Sequence, residues 1–192
     1  MESAAELFRR QGYHGTGLNQ VLEQSSAPRG SLYFHFPGGK QQLAAESVGE
    51  AGGAIGKAIE AILAATPDTG EAIGRVVDFL AADLSQSGFD HGCPVGTVAM
   101  DAASGSEPVR VACEAVFAGW LGLIARHLEA AGTAPDLAER QAMLAVSAIE
   151  GALLLARARR DTAALEAVGA TLRPLLSPAL TKAGQPGPKE SR

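Results

Sequence analysis

The chain has 192 residues, 46% of them apolar, 5% aromatic and 19% charged, and a net charge of −5. That length suits one sizeable core or two small subdomains sharing one, and that composition excludes a disordered chain. The apolar residues are mostly Ala, Leu and Val, which favours packed helices over a sandwich or barrel.

No uninterrupted apolar run is long enough to span a bilayer, so no membrane span is expected. The chain does not open on a basic segment followed by an apolar stretch, so no secretory signal is expected either. Cys93 and Cys113 lack metal-site spacing. Free thiols and a cytoplasmic location are the simplest expectation. The charge is uneven. Arg9, Arg10, Arg29 and Lys40 balance Glu2, Glu6, Glu23 and Glu46 within residues 1–48, and the rest of the chain holds the whole deficit. An acidic body on a neutral, locally basic head is compatible with DNA binding without suggesting it.

In chain order, Glu2 to Gln11 reads as a helix with Ala5 and Phe8 on one face, closed by Gly12. Leu18, Val21 and Leu22 form an i, i+3, i+4 triplet behind an N-cap at Thr16 or Gly17. After the turn Ser25-Ser26-Ala27-Pro28, a short helix is expected from about Arg29 to Phe34, with Pro28 in its first turn. Leu32 and Phe36 should face the core. Lys40 opens a long helix that stops at Thr66-Pro67, despite Gly49, Gly52, Gly53 and Gly56. Each interior glycine costs roughly 1 kcal/mol relative to Ala, so close packing or bending is expected there.

A further amphipathic helix spans 69–88. The break Gly92-Cys93-Pro94-Val95-Gly96 leads into a short helix to about Ala103. Three more are expected at about 107–131, 135–160 and 162–183, followed by a tail, 184–192, expected to be disordered. The fold class is all-α, with about nine helices and no credible strand.

Two short helices joined by a tight turn form the unit that places its second helix in the DNA major groove. In this chain Gly12-Tyr13, Thr16, Val21, Arg29-Gly30-Ser31-Leu32-Tyr33, Phe36-Pro37 and Lys40 resemble the N-terminal domain of the TetR family of one-component repressors. That resemblance implies a three-helix helix-turn-helix head at 1–45, its first helix shortened at the start. A ligand-binding and dimerisation body would follow at 46–183. The turn carries Ser25-Ser26 where the family usually has Ala-Gly, so Ser26 is expected to be strained if the turn needs a positive φ.

Arg29 is the natural candidate for a bidentate guanine contact or a phosphate clamp. Gly30 permits close backbone approach, and Ser31, Tyr33 and Phe34 can meet phosphate, a thymine methyl or the groove wall. Thr16 can offer its hydroxyl and neighbouring amides to phosphate. The resemblance adds Tyr33, His35 and Lys40 as phosphate contacts. For His35, packing on Tyr13 or Phe36 is the alternative.

The stretch Asp90 to Thr97 resembles the LmrA/YxaF-type branch of the family, in which Gly-Cys-Pro begins the helix at the ligand pocket. His91 and Cys93 lack further ligands at metal-site spacing, so no metal and no cofactor are expected. Cys93 has no activating positive neighbour in sequence and reads as a buried thiol. Phe79, Phe89, Cys93, Met100, Val116, Phe117, Trp120, Leu121, Ile124 and Met143 come from different helices. With Ser147, they are candidates to line a small-molecule cavity, though each alone fits plain core packing. Asp101 and Glu150 are further polar candidates.

The last two helices carry apolar surface suited to a homodimer interface, with Glu150, Leu153, Leu154, Arg157, Leu165, Val168, Leu172 and Leu176 as candidates. No nucleophilic, metal or phosphate-loop constellation marks an enzyme. The reading is a homodimeric repressor that binds a palindromic operator in double-stranded DNA and is released by a small apolar or aromatic effector. A ligand-binding or protein-interaction module without DNA binding remains the alternative.

Overall fold

The computed structural model describes residues 1–102 and 104–177, so the expected tail lies outside the described residues. Among those residues there are nine helices and no strand. They are α1 (Glu2–Gly15), α2 (Leu18–Ser25), α3 (Arg29–His35), α4 (Gly39–Ala65), α5 (Thr69–Gln86), α6 (Pro94–Ala102), α7 (Glu107–Ala130), α8 (Pro135–Arg159) and α9 (Ala163–Leu176).

The first helix does break at Gly12, where φ is 74° and ψ −178°, but one more helical turn follows to Gly15. Leu7 and Phe8 are buried beneath α1 together with Val21, Leu32 and Leu43, so α1 to α3 and the start of α4 share one small core. Phe36 packs partly buried against it. Gly17, with extended φ and ψ, caps α2.

The long helix α4 packs chiefly along α7, α5 along α9, and α1 along α6. Two of the four α4 glycines explain the first pairing. A Cβ on Gly52 would lie 2.4 Å from Val116, and one on Gly56 would lie 3.4 Å from the Trp120 indole nitrogen. That indole N–H donates to the Gly52 carbonyl at 3.0 Å. The same principle joins α5 to α9, since a Cβ on Gly70 would overlap the Arg173 carbonyl at 1.9 Å. Both α7 and α8 are long and apolar enough to cross a membrane by length and composition. Here they pack on each other and on the neighbouring helices of the body.

At the far end of α4, His127 ties three helices. Its Nε2 is 3.1 Å from the Leu63 carbonyl and its Nδ1 is 2.8 Å from the Thr69 hydroxyl. A carbonyl only accepts, so Nε2 carries a proton toward Leu63, while Nδ1 shares its hydrogen bond with the Thr69 hydroxyl. Asp68 caps α5 by accepting from the Glu71 N–H at 2.9 Å, and receives the Ser177 hydroxyl at 2.7 Å.

The α2–α3 turn contains the departure noted above. Ser26 adopts φ 54° and ψ 27°, the left-handed conformation. A non-glycine residue there costs roughly 1–2 kcal/mol, and glycine gives back part of that in unfolded-state entropy. Ser26→Gly is therefore expected to raise stability by about 0.5–1 kcal/mol in urea denaturation. An unchanged or lower midpoint would mean that Ser26 compensates its strain through another contact.

Candidate DNA-binding face and ligand cavity

The second helix of the hairpin, α3, carries an outward aromatic edge. Phe34 is 81% exposed and Tyr33 63% exposed. His35 is exposed beside them, its ring edge-on to Phe34 with centroids 5.1 Å apart. Of the alternative partners, the Phe36 ring is 6.5 Å away and tilted, so His35 borders Phe36 while staying exposed. Gly30 has no neighbour within 4 Å of where a Cβ would stand, and Ser31 is half-buried. The side chain of Arg29 lies outside the described residues. An apolar edge this exposed has no role in the head's own core. It suits a surface that meets thymine methyls and the groove wall.

Two expected phosphate contacts stand elsewhere. Thr16 is 1% exposed and its hydroxyl donates to the Gly12 carbonyl at 2.8 Å. It closes the last turn of α1, so only its neighbours' backbone is available for DNA. Lys40 lies over the Tyr13 ring, with Nζ 4.6 Å from the centroid. Burial pushes its pKa down, while the nearby Asp101 charge acts the other way.

The body holds two adjoining voids. The inner one, of about 40 Å³, is bounded by Ile55 and Ile59 of α4, Val76, Leu80 and Leu84 of α5, and Trp120 and Ile124 of α7. Val146, Ile149, Glu150 and Leu153 of α8 and the loop His91 to Pro94 complete it. The outer cleft, about 340 Å³, is bounded by Cys93, Gly96, Thr97, Met100, Phe117, Glu150, Leu153, Leu154 and Arg157. At about 40 Å³ the inner void holds no more than a few waters, so a larger ligand must use the cleft or open the wall between them. That wall is shared: Gly92, Cys93, Glu150 and Leu153 border both.

The cavity residues expected from sequence therefore divide. Cys93, Met100, Phe117, Trp120 and Ile124 line the inner void or the cleft, with the Phe117 and Trp120 rings edge-on at 5.5 Å. Leu121, Met143 and Ser147 line a more open groove between α7 and α8 that adjoins the cleft, since Ala99, Phe117 and Glu150 border both. Val116 is spent on Gly52. Phe79 is exposed on the outside of α5, and Phe89 sits in the turn after it with φ 66°. Neither borders these voids. Glu150 of α8 was expected and lines both voids, but the apolar lining from α4, α5 and α8 was missed because its i, i+3, i+4 spacing is also that of ordinary core.

Burial, and next the Glu150 carboxyl, push the Cys93 thiol well up. Burial also pushes the Cys113 thiol up to about 11. Both remain protonated at neutral pH and are poor nucleophiles. No cluster of three potential metal ligands occurs among the described residues.

Residues 1–46 match the tetR family of bacterial regulatory proteins, and residues 69–171 match the C-terminal domain of LmrA/YxaF-like transcriptional regulators. The chain is 35% identical over 176 residues to the HTH-type transcriptional regulator LmrA of Bacillus subtilis (strain 168), covering 92% of this chain and 94% of that one. It belongs to the TetR family of transcriptional regulators. A TetR transcriptional regulator from Legionella pneumophila has the same fold, with TM-score 0.81 and 22% identity over 92% of this chain and 94% of that one. So does CifR in complex with 26-bp operator DNA, with TM-score 0.76 and 24% identity over 90% and 92%. Members of this family are regulators, and the chain is not an enzyme.

In this TetR-family chain the head is tied to the body along α1. Asp101 of α6, which had been a candidate ligand contact, instead accepts from the backbone N–H groups of Tyr13 and His14 at 3.2 and 2.9 Å. Its Oδ2 would lie 2.7 Å from a Cβ on Gly12, so a side chain there would displace it. Arg9 pairs with Asp83 and donates to the Gly92 carbonyl at 2.6 Å. Arg10 pairs with Asp90 at 3.2 Å.

The expected dimer set also needs correction. Leu165, Leu172 and Leu176 are buried in the protomer, on the side of α9 that packs on α5 and α8. Glu150 and Leu153 are cavity wall, and Arg157 donates to the Arg10 carbonyl at 2.5 Å. Val168 is half-buried, and Leu154 alone of the set is an exposed large side chain. The outward stripe of α8 is instead Met143, Leu144, Ser147, Gly151, Leu154 and Leu155.

Asp101→Ala would leave the two α1 N–H groups without their acceptor, at a cost of about 1–2 kcal/mol. Urea denaturation should show that loss. An unchanged midpoint would mean that solvent satisfies them equally well.

Proposed function

We propose that the chain is a ligand-responsive repressor, a homodimer that binds a palindromic operator and leaves it when a small apolar or aromatic effector occupies the body. The observation that carries this reading is the exposed Tyr33–Phe34–His35 edge of α3, in a chain of this family. That edge presents groups able to touch base methyls and phosphate where a reading helix presents them. CifR, which shares the fold, has been captured on its operator.

A single short helix reads too few base pairs for specificity, and pairing two heads about one helical turn of DNA apart supplies the rest. The outward stripe of α8 supports such pairing. Met143, Leu144, Leu154 and Leu155 are each about half exposed in the protomer, and α9 beside them is faced with Ala163, Ala167 and Ala170. A two-helix apolar face of this kind meets its twofold copy as a four-helix bundle.

The effector acts by linkage. A ligand that binds better to a protein with another separation of heads lowers DNA affinity by its differential affinity for the two states. The walls, mostly Ile, Leu, Val, Trp and Phe, favour an apolar or aromatic molecule.

Two measurements check this reading. Phe34→Ala and Tyr33→Ala should each weaken binding to palindromic DNA from the promoter flanking the protein's own gene by about tenfold, read by anisotropy. Parental affinity in both variants would remove α3 as the reading helix. Leu154→Glu combined with Leu155→Glu should convert dimers to monomers in sedimentation at micromolar concentration, because a buried unpaired carboxylate is costly. A parent protein that sediments as a monomer would refute the dimer.

A further inference from the structure

Among the described residues, Glu150 is the one carboxyl that borders both voids, and no cation pairs with it. It is mostly buried, and burial pushes its pKa up while contact with the Cys93 thiol draws it down. The other charged groups of the lining are engaged elsewhere. Arg9 pairs with Asp83, and Arg157 reaches the Arg10 carbonyl. Among the described residues no salt bridge involves Glu150.

Its position is built rather than incidental. The carboxyl lies over the first turn of α6, where a Cβ on Gly96 would stand 2.4 Å from Oε2. The Gly96 N–H donates to Cys93 Sγ at 3.3 Å. Thus Gly96, Cys93 and Glu150 form one contact group at the wall of the cleft. Beyond the thiol contact, a second polar atom borders the inner void: His91 Nδ1 is buried with no hydrogen-bond partner. Desolvated acceptors in an apolar cavity gain most from a ligand that brings a donor.

We propose that Glu150 is the polar anchor of the cavity, and that its ligand is an aromatic molecule bearing one hydrogen-bond donor, either a neutral hydroxyl or a protonated amine. This rests on the effector reading above and adds the class of effector and the residue that selects it. The ring lies in the cleft against Phe117 and Met100, and the donor reaches the carboxyl past Gly96. A ligand seated so competes with Cys93 for Glu150 and presses on the start of α6.

The test uses the full chain and four probes that differ in one substituent: 2-naphthol, 2-naphthylmethylammonium, 2-naphthoate and 2-methylnaphthalene. Isothermal titration calorimetry should show at least one donor probe binding about tenfold more tightly than 2-methylnaphthalene, with 2-naphthoate weakest. Whichever of naphthol and the ammonium binds better identifies the donor. E150Q should keep a preference for naphthol and lose one for the ammonium, and E150L should lose both. Equal binding of 2-methylnaphthalene and both donors to the parent protein overturns the proposal, as does a preference that survives in E150L or no binding by any probe at millimolar concentration. The parent comparison holds even if the variants fold poorly. Operator release by the same probes separates the two readings. Glu150-dependent binding that leaves DNA affinity unchanged refutes the effector reading alone. Equal release by all four probes refutes the anchor alone.

Discussion

Just past the Gly12 kink of α1, the backbone N–H groups of Tyr13 and His14 both donate to the Asp101 carboxylate of α6. The position of the head on the body depends on this contact. Gly12 permits it twice, by its positive φ and by its missing Cβ. Lys40 then lies on Tyr13, so the start of α4 is fixed to the same point. Arg9 and Arg10 repeat the attachment one to two turns earlier, against Gly92, Asp83 and Asp90. The Arg9 bonds and the Tyr13 bond to Asp101 are part-buried, and charge-assisted bonds of that kind are worth more than exposed surface pairs such as Arg10–Asp90.

α6 is the element common to this seam and to the cavity. Its nine residues span about 13 Å at the helical rise. One end is Cys93–Pro94, facing Glu150, and the other carries Asp101. A short helix is stiff over that length, so a displacement of its start is carried to its end. α4 offers a second route, because Ile55 and Ile59 line the inner void and Lys40 opens the same helix. The two routes meet at Tyr13, which touches both Asp101 and Lys40. Under the proposed effector reading, a ligand would shift this arrangement only by a differential affinity for two positions of α6, through contacts with α6 and with Glu150.

Much of the fold was legible because its signals are local. Gly12, Pro28, Thr66-Pro67 and Gly92-Cys93-Pro94 punctuate the chain, and most helix ends fall within two residues of expectation, although α1 runs four residues further to Gly15 and α9 stops at Leu176, well short of 183. The strain at Ser26 was legible for the same reason. The sites were less so. A stripe at i, i+3, i+4 says that a face is buried without saying against what, so Ile55, Val76, Leu80 and Ile149 read as core while they form the cavity. Leu165 and Leu172 read as interface because an amphipathic helix looks alike whether α5 or a second protomer covers it. Asp101 and Thr16 read as contact residues because their partners are backbone groups close by in space, and sequence shows side chains only.

The same device recurs at the three joints that matter. Gly12 receives the Asp101 carboxylate, Gly52 receives Val116, and Gly96 receives the Glu150 carboxyl, each on a bare Cα where a Cβ would come within 2.7 Å or less of the incoming atom. A glycine inside a helix costs roughly 1 kcal/mol, so such positions persist only where close approach returns more. At Gly52 the return is packing, since Val116 and the Trp120 indole lock α7 onto α4. At Gly12 and Gly96 it is polar: each lets a carboxyl from another helix reach an otherwise closed place. The first carboxyl is satisfied by two N–H groups and holds the head still. The second meets one weakly donating thiol. That difference makes Asp101 the fixed end of α6 and Glu150 the end at which a better donor changes the balance.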